Sequence, residues 1–145
     1  MSETFLEDEA ALQSLIAGFE DGTWPGAQWR HSSHLALAAC YILDYPDAMN
    51  LLRSRIASYN ESRGGKNTPD SGYHETITRF WVEIISRFIG RLPPDLSRLE
   101  VARRVVASFG NRRDLFRDYY DFDVVTSREA RAAWVPPIRP LALDD

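Results

Sequence analysis

Residues 35–43 read Leu-Ala-Leu-Ala-Ala-Cys-Tyr-Ile-Leu, an unbroken apolar run. A helix that is apolar all round has no face to offer water, so other elements must enclose it. The run is far shorter than the roughly 20 residues that span a bilayer, so the enclosing medium is expected to be protein. The rest of the chain supplies the enclosure as amphipathic stripes at helical spacing. Phe5, Leu6, Ala10, Leu12, Leu15, Ile16 and Phe19 form one stripe, which ends before Gly22. Ala48, Leu51, Leu52, Ile56 and Tyr59 form another, opened by Pro46. A fourth helix is expected over residues 73–89 and a fifth after Pro93-Pro94, with Leu99, Val101, Ala102, Val105, Val106 and Phe109 inward. Shorter helical pieces follow near residues 115–120 and 127–134. From residue 135 the sequence Val-Pro-Pro-Ile-Arg-Pro-Leu forbids a helix and predicts an extended tail across the bundle. The expected fold is all-α: a single irregular bundle of about five main helices over residues 1–145. Residues 122–125 are the one stretch that reads as a short extended piece.

Composition narrows the function. Hydrophobic residues make up 44% of the chain, enough for a packed core. The net charge is −4 and no basic stripe follows a helix face, which argues against nucleic acid as a partner. Met1-Ser2-Glu3-Thr4 lacks the basic-then-apolar order of a signal peptide, so a soluble, cytoplasmic protein without a membrane partner is expected. Cys40, the single cysteine, sits in the apolar run and reads as a buried thiol.

The three histidines fall in two motifs at expected helix starts. His31 and His34 belong to Trp29-Arg30-His31-Ser32-Ser33-His34, where Ser32 or Ser33 is the expected N-cap. His74 belongs to Gly72-Tyr73-His74-Glu75-Thr76. At 100° per residue His74 shares a face with Ile77, Thr78, Trp81, Ile84, Ile85 and Phe88, and so is expected to point inward. Three imidazoles with a fourth position open is the pattern of a catalytic metal site, zinc first, with iron, nickel or copper also compatible. Glu75 is the candidate general base, or a further ligand. The competing assignment is an i,i+4 surface pair with Arg79. A histidine at a helix start equally suits a pocket for a small ligand or anion, or acid/base chemistry without metal. Histidines of purely structural role are the third possibility. Residues 60–72 are polar and rich in breakers, long for a helix connection, and end at His74, so they are the candidate lid. Tyr59, Asn60, Asn67 and Tyr73 flank the site as candidate binding residues.

With these residues in hand, the chain resembles a family of small uncharacterised bacterial proteins. The resemblance rests on Trp29-x-His31-x-x-His34-Leu35, Tyr59-Asn60, Asn67, Gly72-Tyr73-His74-Glu75-Thr76-Ile77-Thr78 and Ala130-Arg131-x-x-Trp134-Val135-x-Pro137. It covers most of the chain and implies an all-helical fold, but brings no known activity. The expectation from sequence is therefore a metal-dependent enzyme acting on a small molecule, with His31, His34 and His74 as ligands activating water or oxygen. A small-ligand or anion-binding protein, or a metal-free acid/base enzyme using the same pocket, is the alternative. Substrate and oligomeric state are not legible.

Overall fold

In the computed structural model, which describes residues 4–143, six α-helices are joined by three short 3-10 turns. They are α1 (Glu9–Asp21), α2 (His31–Asp44), α3 (Ala48–Ser62), α4 (Glu75–Gly90), α5 (Arg98–Phe109) and the single-turn α6 (Arg128–Ala132). Among the described residues the only strand-like pairing is an isolated bridge between Thr68 and Ser71, so residues 122–125 do not form a strand. No helix among them is long and apolar enough to cross a membrane.

The apolar run does what its pattern demands. Leu35 through Tyr41 are all buried, and α2 packs on α5, α4, α3 and α1. Cys40 is enclosed with them, and burial pushes its thiol up to about 12. Asp8 caps α1 by accepting from the Ala11 N–H at 2.7 Å. Gly22 ends that helix at φ +79°, and the N–H of Thr23 returns to the Gly18 carbonyl at 2.8 Å, a Schellman-type stop. Ser97 caps α5 by accepting from Glu100.

The start of α2 differs from the expected Ser cap. The helix begins at His31, with Arg30 at the N-cap position. Ser33 works from inside the first turn, its Oγ accepting from the Arg30 N–H at 2.8 Å. One turn of helix is thereby gained upstream, and both His31 and His34 are fully helical.

The tail is extended, as proline requires. Thr76 at the start of α4 holds it through two bonds, donating to the Ala133 carbonyl (2.9 Å) and accepting from the Val135 N–H (3.0 Å). Tyr120 donates to Val135 and Tyr119 to Ala142, and Leu141 is buried. The strap, together with the segment before it, buries α4 on more than its expected face: Thr76 and Phe80 are at 0% exposure. Phe80 packs on Phe116 and Tyr119.

A candidate small-molecule pocket

A cavity of 1530 Å³ opens between the start of α2, the end of α3, the face of α4 and α5. Its walls carry Trp29, Tyr59, Tyr73 and Trp81, and His31, His34 and His74 all contribute to its lining. The two histidine motifs thus meet at one cavity, but their ring nitrogens are used differently.

His74 is the N-cap of α4. Its Nδ1 accepts from the Ile77 N–H at 3.1 Å, and its Nε2–H donates to the Val124 carbonyl at 2.8 Å. Both nitrogens are spent, which fixes the neutral Nε2–H tautomer. Burial lowers its pKa, as expected of a ring whose protonation would break the cap. In this geometry His74 has no lone pair for a metal, which departs from its expected role as a ligand. Three consecutive facts of local structure cause this: the extended φ of −129° at position 74, the orphan N–H groups of the first turn, and the buried Val124 carbonyl opposite.

His31 donates from Nε2 to the carbonyl of Phe109 at 3.0 Å, at the end of α5, where the same oxygen also accepts from the Arg112 N–H at 2.9 Å. Its edge meets Trp81, with ring centroids 4.9 Å apart. Burial lowers its pKa.

His34 is the exception. Its Nδ1–H donates to the Arg30 carbonyl at 2.7 Å, the bond one turn back along α2. That leaves Nε2 with a lone pair and no partner among the described residues. No buried polar side-chain atom there lacks a hydrogen bond, so this nitrogen opens to the cavity. The ring lies against Trp29 at 3.8 Å between centroids, and Trp29 is itself held by Phe19 and Tyr59. Enclosure first, then the nearby His31 and Arg113, bring the His34 pKa down to about 4. At neutral pH it is an uncharged imidazole with a fixed tautomer and one open acceptor.

Glu75 lies outside the lining of the cavity. Its carboxylate is gripped by Arg53 through two bonds (2.8 and 2.6 Å) and accepts from the Tyr73 hydroxyl at 2.7 Å. The Arg53 bonds hold its pKa below the usual carboxylate range. A carboxylate so stabilised is a weak base, and it does not line the histidines' cavity, so the expected roles as general base or metal ligand have no geometric support here. The expected Arg79 pair is also absent, because Arg79 bonds Glu83 and covers the Trp134 ring. Sequence reasoning had no access to Arg53, 22 residues away on another helix.

The binding candidates divide. Tyr59 and Tyr73 present their rings to the cavity while their hydroxyls bond elsewhere, Tyr59 to the Trp24 carbonyl. Asn60 lines the cavity but is helical, because α3 runs on to Ser62 and shortens the expected loop. Asn67 is a staple rather than a lining residue. Its amide donates to the Ala57 carbonyl (2.9 Å), and its oxygen accepts from the Tyr73 N–H (2.9 Å). The far end of the loop is tied to α6, with Asp70 paired to Arg128 and Arg131 donating to the Gly72 carbonyl.

Among the described residues no group of three His, Cys, Asp or Glu is arranged to hold a metal ion. No family model, curated protein or solved structure matches the chain.

Proposed function

We propose that this protein binds a small organic molecule in the cavity, with the open Nε2 of His34 as the polar centre of the pocket. The observation that carries this reading is a neutral, orientationally fixed imidazole facing a cavity of 1530 Å³ with aromatic walls. Ligand pockets combine apolar walls with a few placed polar groups in this way. The volume exceeds what a metal ion and a water need. His34 accepts a hydrogen bond from a ligand hydroxyl or N–H. A ligand that raises its pKa toward neutrality turns the same nitrogen into a general base, so metal-free acid/base chemistry is an extension of the same site.

A metal centre on the three histidines requires more rearrangement. His74 carries its one lone pair on Nδ1, so as a ligand it would have to release the Ile77 N–H and give up the cap of α4. His34 Nε2 and His31 Nδ1 are the donors that need no such change. The organic-ligand reading is preferred on that ground.

The test is an NMR screen of the untagged protein against small aromatic alcohols, amides and acids, read through the three histidine rings. Binding should move the His34 Nε2 signal most, and leave that of His74 in place. A screen in which no fragment moves His34, or in which every bound fragment contacts only other surfaces, overturns the proposal.

A further inference from the structure

The charges around the cavity run against those of the chain. The protein carries 17 Lys and Arg against 21 Asp and Glu. Among the described residues the cavity is lined by the cations Arg30, Arg63, Lys66, Arg103 and Arg113, with Glu7 as the one carboxylate. Lys66 is the single lysine of the sequence.

Pairing sharpens the contrast. Elsewhere the arginines are engaged: Arg53 with Glu75, Arg55 with Glu20, Arg98 with Glu9 and Asp44, Arg128 with Asp70. Arg103, although it lines the cavity, is committed to the carbonyls of Leu6 and Glu7. Arg63, Lys66 and Arg113 make no side-chain hydrogen bond or ion pair among the described residues. Arg87, Arg104 and Arg139 share that state, but they stand exposed and do not line the cavity. Three uncommitted cations therefore border one concave, aromatic-walled space. Such a space concentrates field and counter-ions better than a flat surface does.

We propose that the ligand is an organic anion, a carboxylate or phosphate monoester on a flat apolar body. The acid group sits at the rim formed by Arg63, Lys66 and Arg113, and the body lies against Trp29 and Trp81 beside His34. This inference rests on the small-molecule reading and adds the charge of the ligand to it. The arrangement divides the work. The aromatic walls supply desolvation and shape, while the exposed rim supplies selection for negative charge. Arg63 and Lys66 stand just after α3 and Arg113 just after α5, so the rim is contributed by two separate parts of the chain.

Titration calorimetry with 2-naphthoate, 2-naphthyl phosphate and the uncharged 2-naphthylmethanol tests it. The anions should bind about tenfold more tightly than the alcohol at low salt, the size expected of a few exposed charge contacts. The difference should shrink in 0.5 M salt through screening. Arg63→Gln, Lys66→Gln and Arg113→Gln combined should remove the preference and leave the alcohol's affinity unchanged. These side chains are exposed and unpaired, so the variant keeps its fold. The order of naphthoate and naphthyl phosphate decides between the two acid groups. Equal binding of alcohol and anions, or an anion preference that survives in the triple variant, overturns the inference while leaving the His34 pocket standing. If none of the three binds and the His34 signals stay still, both fall together.

Discussion

Replacing His74 separates a structural cap from a metal ligand. In His74→Ala the N-cap of α4 is lost, worth about 1 kcal/mol. The carbonyl of Val124, whose residue is 1% exposed, loses its shorter hydrogen bond and keeps the Ser127 N–H at 3.3 Å, at a cost of about 1 kcal/mol. Together the change should destabilise the protein by about 2 kcal/mol, or lower its melting temperature by about 7 °C for a chain of this size. His74→Asn should recover about 1 kcal/mol, because a side-chain oxygen can accept from the first turn of α4 while the Val124 bond stays broken. Urea and thermal unfolding of untagged protein, with chelator and with added zinc, provide the assay. A loss below about 0.5 kcal/mol would refute the two-bond account. Wild-type stability that collapses with chelator and returns with zinc would refute it more directly, because the ring would then be holding a metal.

Three further outcomes follow from the same geometry. Glu75→Gln should cost about 1–2 kcal/mol in urea unfolding, because a nearly buried carboxylate loses its charge-assisted bonds to Arg53. The Glu75 contribution is present above the ordinary carboxylate range and is lost as pH falls through its lowered folded-state value; a cost below about 0.5 kcal/mol would mark it as a mere surface pair. All three histidine pKa values are lowered by folding, so their stability contribution is complete above about pH 6.5 and declines as pH falls, with His34 titrating down to about pH 4. His34→Gln should flatten that decline in a pH series of melting curves, and an unchanged slope would contradict the neutral, half-buried ring. Gly72→Ala should cost about 2 kcal/mol or more and loosen the segment before His74 in hydrogen exchange. Gly72 sits at φ +80°, and an added Cβ would lie 2.5 Å from the Lys66 carbonyl; a neutral substitution would contradict that close approach.

The fold was readable where one physical requirement dominated. The all-apolar run had to be central, Pro136, Pro137 and Pro140 had to be extended, and both hold. Periodicity was less informative where a helix packs on two sides. It placed Trp81 and Ile84 inward but missed Thr76, held by the strap of residues 133–143, and Phe80, covered by Phe116 and Tyr119, because neither cover leaves a mark on the sequence of α4. The histidine motifs did mark the cavity. The roles within it were not legible, because each depends on a carbonyl supplied from elsewhere: Phe109 for His31, Arg30 for His34 and Val124 for His74. Spacing suggested that Glu75 would meet Arg79, yet a forked guanidinium on α3 held it instead. Arg63, Lys66 and Arg113 lie scattered in sequence, and only folding brings them to the lining of one cavity.

The most direct test of the account is the tautomer of each histidine at pH 7, read from long-range proton–nitrogen NMR of the untagged protein with and without one equivalent of zinc. The account predicts three neutral rings, with the proton on Nδ1 in His34 and on Nε2 in His31 and His74. Zinc should leave His74 unchanged. Stoichiometric zinc binding that shifts all three rings together would contradict the pocket described here and restore the three-histidine metal centre.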